Sequence, residues 1–390
     1  MEFVNTIMRE KPKIIQIVNR YQRDAISNIV RNIVYELKDL YDFEIWSYEK
    51  VDRNSITGRY SLSDSIALRD FGATHKVGSG WYEIGQELRN KQPKIVQFHG
   101  GRACVLGPML AKFARIPVII NTIHNVFKNY SQLIKGLFRF SNLLVDVNAC
   151  VSKTVEASFF SHTNGHDVLK EKNLPHHLTI PNFIDIKRMR REAQKCSKDK
   201  TRQMLNLSSG EKFILNIGQL IRQKDQFTLL KAFSLLLREK NGLFLGVMGD
   251  GPLREELHSI CKKLGILDHV NFLGYRKDVY RILGAADLFV STSLWEGMPL
   301  SHLEAMALGK PIVATKIPSV QELITNGNEG VLVEPKNPEA FKNAILNLIS
   351  SKDKMKLLGE AARAKVEDNH NLTTGINHYR SLYQTCLGSG

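Results

Sequence analysis

Two carboxylates eight residues apart carry the first chemical signal in this chain. They lie in the stretch 288–308, LFVSTSLWEGMPLSHLEAMAL. Its opening run, Leu288–Ser291, reads as a buried strand. A short loop follows, and then a helix with Pro299 in its first turn, where a missing N–H costs nothing. Gly297 lets backbone approach a ligand closely. The N–H groups beyond it form an anion site at a helix N-terminus. Glu296 falls in the loop and Glu304 inside the helix. Two acceptor-only carboxylates beside an anion cradle suit a ligand with hydroxyls at both ends and phosphate between them, the layout of a nucleotide-sugar. The competing reading of either glutamate alone is a solvated or helix-capping carboxylate.

Other stretches place reactive groups after strands. In Gly218-Gln219-Leu220-Ile221-Arg222-Gln223-Lys224 the glycine permits a tight turn, and Lys224 offers a point charge to a diphosphate. Gly249-Asp250-Gly251-Pro252 sits between a strand and a helix, where such glycines commonly serve turns. His124 follows the strand ending in Thr122-Ile123, and His99 closes the run Ile95–Phe98. A single histidine at such a place is more often structural than catalytic.

The stretch Glu296-Gly-Met-Pro-Leu-Ser-His-Leu-Glu304 resembles the E-x7-E motif of the retaining family-four glycosyltransferases of GT-B fold. The resemblance covers nearly the whole chain and is strongest from Phe213 to Val333. It implies a metal-independent retaining hexosyltransferase that moves sugar from a nucleotide-sugar, with a UDP-sugar favoured, to a hydroxyl of a glycan or lipid-linked acceptor in cell-surface polysaccharide or glycolipid synthesis. The nucleotide-sugar is a substrate, and no cofactor is implied. Glu296 would hold sugar hydroxyls, Glu304 the ribose, and Lys224 the diphosphate. His124, in a segment similar to the family's T-x-H, would orient the reacting end. Donor binding would also draw on Gly218, Gln219, Arg222, Gly251, Tyr275, Arg276, Gly297, Met298, Pro299 and Leu300. His99 and Arg23 are acceptor-side candidates. The sequence departs from the family at Gln219, where an arginine is usual and Arg222 is the obvious substitute. It departs again at Asn19–Asp24, where a Gly-Gly pair is common. An epimerase of the same fold, or a pseudo-enzyme that only binds nucleotide or glycan, remains an alternative.

The elements that would position these groups alternate between strand-like and helix-like runs, which implies mainly parallel sheets. The expected architecture is two Rossmann-like domains facing across a cleft. One is residues 1–180 plus a returning helix at 373–390, on the acceptor side. The other, residues 181–372, binds the donor. Ser319 and Glu322 read as a capping box for a following helix, and Asn337-Pro338 as another helix start. The polar run 187–200, KRMRREAQKCSKDK, reads as a solvated connection and helix.

At 390 residues, with 43% hydrophobic and 24% charged residues, the chain is an ordinary globular one. No apolar run approaches a membrane-spanning length. The N-terminus lacks the apolar core of a signal peptide. Five cysteines without a C-x-x-C pair argue for free thiols in the cytoplasm and against a zinc site. No D-x-D motif provides for a metal. The net charge is +15, and no acid occurs from Leu88 to Val145. That field favours anionic partners. The basic amphipathic stretch Val126–Phe140 points to an anionic membrane surface, with a helix packed on its own domain as the competing reading. No nucleic-acid motif accompanies it.

Overall fold

The computed structural model describes residues 10–22, 24–53, 62, 66–72, 79–164, 169, 174–208 and 210–388. Arg23, much of the polar loop 52–65 and the first nine residues lie outside the described residues. The chain divides into two compact units, Met1–Ile180 with Ile376–Gly390, and Pro181–Gly375.

In the first unit seven strands form one sheet in the order β3-β2-β1-β4-β5-β6-β7. The strands are β1 (Lys13–Val18), β2 (Asp42–Ser47), β3 (Ala67–Asp70), β4 (Ile95–His99), β5 (Val118–Ile123), β6 (Val147–Cys150) and β7 (His177–Thr179). All pairings are parallel. Helices α1 (Ala25–Leu37), α2 (Ser79–Lys91), α3 (Ala103–Phe113), α4 (Gln132–Asn142) and α5 (Lys153–Phe159) connect them. Central strands buried on both faces read as continuous apolar runs. KIIQIV and IVQFH keep that pattern with one amide in each.

The second unit carries six strands in the order β10-β9-β8-β11-β12-β13, again all parallel. These are β8 (Lys212–Ile217), β9 (Leu243–Met248), β10 (Val270–Gly274), β11 (Leu288–Ser291), β12 (Ile312–Thr315) and β13 (Val331–Val333). The helices are α6 (Ile186–Gln194), α7 (Lys198–Met204), α8 (Gln226–Glu239), α9 (Arg254–Leu264), α10 (Val279–Ala285), α11 (Leu300–Ala307), α12 (Pro318–Gln321), α13 (Pro338–Ile349) and α14 (Lys352–Asn369); α15 (Leu372–Cys386) starts in this unit and from Ile376 onward belongs to the first. Leu229, Leu230, Phe233, Leu245, Val247, Leu288 and Phe341 are fully buried in its core.

Each sheet reverses strand order once, at β1/β4 and at β8/β11. Ligands of open α/β sheets bind beyond the carboxyl ends of the strands at such a point.

Three local expectations change. Ser319 and Glu322 form no capping box: Pro318 starts α12 and Ile317 precedes it without a side-chain cap, so Ser319 is a buried first-turn residue. The fixed φ of proline sets the helix start earlier. Strand β3 and helix α2 were not expected. β3 is a four-residue edge strand, ALRD, with no apolar run. The 187–200 run falls in two helices, α6 and α7, and α6 buries Ile186 and Met189. Asn337 does cap α13, accepting from the Ala340 N–H.

Candidate active site

The candidate residues fall on both units, and each set is built here within its own unit. In the second, β8 ends at Ile217 and the chain turns through Gly218 into a single 3-10 turn, Arg222–Lys224. The aliphatic stem of Lys224 folds back over Gly218, 3.3 Å from where a Cβ would stand. Its Nζ donates to Glu296 Oε1 at 2.5 Å. Both side chains are mostly buried, 18% and 8% exposed. The loop after β11 is tied to the loop after β8 along its length. Leu294 N–H donates to the Gln223 carbonyl, Gln223 Nε2 to the Trp295 carbonyl, and the Thr292 hydroxyl to the carbonyls of Lys224 and Asp225. Switch-point geometry brings the lysine and the loop glutamate together from 72 residues apart in sequence.

Met298 and Leu300 are buried, and Pro299 stands at the N-cap of α11, with no side chain capping the helix start. Asn182 holds this loop by donating from Nδ2 to the Met298 carbonyl at 2.9 Å, and its own carbonyl pairs with His370 Nδ1. Glu304 is buried one helical turn further on, and Tyr280 on α10 donates its hydroxyl to Glu304 Oε1 at 3.2 Å. Arg222 is exposed and makes no ion pair among the described residues, while Gln219 is exposed beside it and takes Gln226 Nε2 on its carbonyl. Tyr275 is 58% exposed. Arg276 is held by Asp278 through two 2.9 Å bonds, so its guanidinium is spoken for locally.

Gly249 and Gly251 answer to sterics. At Gly249 φ is +134° and a Cβ would lie 1.9 Å from the Gly218 carbonyl oxygen. At Gly251 it would lie 2.5 Å from that of Leu220. Only glycine lets the β9 loop lie against the β8 loop.

Sequence reasoning missed Tyr280, Gln223, Asn182 and His302. His302 sits in the first turn of α11, 1% exposed, edge-on to Phe289 at 5.5 Å. Neither ring nitrogen has a partner. Burial pushes its pKa down to about 4, with Glu296 opposing and Lys224 adding to the shift. A histidine among the apolar positions of the 300–307 helix was the available signal.

In the first unit His124 follows β5 and is half-buried, while His99 ends β4 and is 1% exposed. His124 Nε2 and His99 Nδ1 are 3.5 Å apart, and Gln16 Oε1 lies 2.7 Å from His99 Nε2. Burial lowers the His124 pKa to about 4 and that of His99 well below the usual range. Both imidazoles are therefore neutral at pH 7. A cavity of about 190 Å³ opens beside His99, lined also by Asn19, Arg20, Gln22, Asp24 and Glu49. The polar side chains of this loop have structural partners. Asn19 Oδ1 accepts from the Ala103 N–H, Arg20 pairs with Glu49 at 2.5 Å, and Asp24 caps α1. A larger cavity, about 940 Å³ and lined by Lys11, Lys13, Lys38, Lys91 and Lys94, lies at the opposite ends of these strands. The smaller one lies at the carboxyl edge of the sheet, where open α/β sheets bind ligands.

Among the described residues no cluster of three His, Cys, Asp or Glu side chains could hold a metal ion, and no helix is long and apolar enough to cross a membrane.

Two parallel-sheet α/β units, each with one switch point, are the architecture of the GT-B fold. Solved structures agree on the fold. Anabaena HepE, solved in complex with UDP-glucose, is 19% identical and superposes with a TM-score of 0.81 over 96% of this chain and all of its own. A glycosyltransferase from Rickettsia africae, 18% identical, gives 0.77 over 97%. Residues 197–365 match the family described as glycosyl transferases group 1. Residues 197–365 thus carry a glycosyl transferases group 1 domain, in a chain of GT-B fold. Among its relatives are the Escherichia coli UDP-Gal:alpha-D-GlcNAc-diphosphoundecaprenol alpha-1,3-galactosyltransferase, 24% identical over 303 residues and 76% of each chain, and the Bacillus anthracis N-acetyl-alpha-D-glucosaminyl L-malate synthase, 28% identical over 274 residues, 69% of this chain and 68% of that one.

Proposed function

We propose that this protein is a retaining, metal-independent hexosyltransferase. It takes a UDP-sugar and passes the sugar to a hydroxyl of a glycan or lipid-linked acceptor, at the cytoplasmic face of a membrane, in cell-surface polysaccharide or glycolipid synthesis. The observation that carries the reading is the Lys224–Glu296 pair at the β8/β11 switch point, with Glu304 beyond it on α11. Lys224 balances the diphosphate, with Arg222 as the exposed second cation. Glu296 turns to the sugar hydroxyls and Glu304 to the ribose. The uncapped start of α11 offers N–H groups to the phosphates. Fixed charges and N–H groups aimed at the departing diphosphate perform the task that a metal performs elsewhere. His124 orients the reacting end. The second unit is the donor side and the first the acceptor side. The choice of UDP draws on the relative whose name contains UDP-Gal and on the structural neighbour solved with UDP-glucose.

Membrane contact is assigned to the first unit. Leu133 and Phe140 of α4, with Phe113 and Leu143 nearby, are 73%, 56%, 77% and 80% exposed. Lys135 and Arg139 lie over the Phe127 ring within the same surface. Apolar side chains among bases suit an anionic bilayer.

The test is transfer from a panel of UDP-, GDP- and ADP-sugars to lipid-linked acceptors in excess EDTA, with the anomeric configuration of the product read by NMR. Transfer with retention is expected. Inversion, activity restored only by manganese or magnesium, or sugar release without acceptor transfer would each defeat the reading.

A further inference from the structure

Six polar side chains run as a continuous hydrogen-bonded chain through the first unit. They come from three adjacent strands and from α15. Gln16 sits on β1, Gln97 and His99 on β4, Thr122 on β5 and Tyr383 on α15. All five are 1% exposed or less. The sixth, His124, is the half-buried end at the carboxyl edge of the sheet. Most buried polar side chains are hydrogen-bonded, and a satisfied network specifies one arrangement of its members.

The placed amides set who donates. The Tyr383 hydroxyl donates to Gln97 Oε1 at 2.5 Å. Gln97 therefore presents its carbonyl to Tyr383, and its NH₂ donates to Thr122 Oγ1 at 2.6 Å. Gln16 must then donate from Nε2 to Gln97 Oε1 at 3.2 Å and to the Tyr383 oxygen at 3.0 Å. That leaves Gln16 Oε1 as an acceptor, and His99 Nε2 must carry a proton to meet it. His99 Nδ1 is consequently bare and takes the proton of His124 Nε2 at 3.5 Å. Every orientation follows from one phenol.

We propose that Gln16, His99 and Tyr383 are positioning residues that hold His124 as the neutral tautomer with Nε2 protonated and Nδ1 a bare acceptor, so that the helix at the chain's end sets the hydrogen-bond polarity of the acceptor-side histidine. An acceptor-only Nδ1 orients a hydroxyl and turns away a second acceptor. This inference rests on the proposed glycosyl transfer for its kinetic consequence alone, because the tautomer is a property of the free protein.

The experiment labels histidine ring nitrogens with ¹⁵N and reads the tautomers of His99 and His124 by long-range ¹H–¹⁵N correlation at neutral pH. A His124→Gln sample identifies the His124 signals. In the wild type both rings are expected with Nε2 protonated. Gln16→Leu removes the acceptor of His99, and Tyr383→Phe removes one hydroxyl while leaving volume unchanged. Each is expected to shift both rings toward Nδ1 protonation, while thermal melts confirm folding. In transfer assays the same variants are expected to lower kcat by about tenfold or more with donor KM within about twofold, as misorientation near the chemistry does. Nδ1 protonation of His124 in the wild type would overturn the proposal, as would unchanged His99 and His124 spectra in whichever variant folds. Shifted tautomers with no transfer from any donor would leave the relay standing and sink the functional reading instead.

Discussion

Replacing each of the two glutamates by glutamine should produce opposite kinetic signatures. Glu304 is buried on a helix, 4% exposed, and already accepts the Tyr280 hydroxyl at 3.2 Å. Assigned to the ribose, it touches a part of the donor that does not change during transfer. A hydrogen bond to a charged acceptor is worth about 1.5–3 kcal/mol. Its loss weakens UDP and UDP-sugar alike by roughly ten- to a hundredfold and leaves kcat largely alone. Glu296 is different, because in the free protein it holds Lys224 at 2.5 Å. A diphosphate must draw Lys224 away from that partner. Glu296→Gln releases the lysine, so affinity for bare UDP should stay level or tighten, by up to about tenfold on the same hydrogen-bond scale. Its kcat should fall by about a hundredfold or more, as for a lost transition-state donor or acceptor. Calorimetric titration with UDP beside steady-state transfer kinetics measures both. The reasoning is refuted if Glu296→Gln loses UDP affinity while Glu304→Gln retains it.

Three further outcomes are expected. Gly249→Ala sets a methyl group against the Gly218 carbonyl at a positive φ and should destabilise the second unit by about 3 kcal/mol or more, read as a lowered denaturant midpoint. His302 has a folded-state pKa depressed to about 4 by burial, below the unfolded value of about 6.5, so its contribution is full above pH 6.5 and is lost as pH falls toward 4. His302→Leu should therefore be at least as stable at pH 7 and lose about 3 kcal/mol less than the wild type between pH 6.5 and 4, measured by urea unfolding at each pH. Leu133→Glu with Phe140→Glu should weaken co-sedimentation with anionic vesicles several-fold and leave neutral vesicles unchanged, and binding of the parent should fall as salt rises. Equal pellets for parent and variant would remove α4 as the docking face.

The sheets were legible because central parallel strands announce themselves as apolar runs. Ile14–Val18, Phe213–Ile217 and Leu243–Met248 need no partner sequence to be read. Edge strands such as β3 have only one neighbour to satisfy and carry no such run, so Ala67–Asp70 gave no strand signal. The E-x7-E spacing located Glu296 and Glu304, but nothing in it reveals that Lys224 meets Glu296, or that Tyr280 meets Glu304 from a neighbouring helix. Those pairings arise from strand order, which local pattern does not encode. The two amides in KIIQIV and IVQFH were visible anomalies. Their partner Tyr383 lies 367 residues from Gln16, too far for any local reading to join them.

That distance has a consequence for biosynthesis. Domains generally fold as they emerge from the ribosome, the N-terminal one first. Here Gln16, Gln97 and Thr122 are all translated before residue 180, yet Tyr383, which completes their network, arrives only with Ile376–Gly390. At synthesis rates of about 5–20 residues per second, the first unit waits about 10–40 s without the phenol that joins Gln16 and Gln97 while the whole second unit is made. The nascent chain thus closes its first-made unit last, and a ribosome that stalls or terminates before residue 376 releases a protein whose second unit can be finished and whose first cannot.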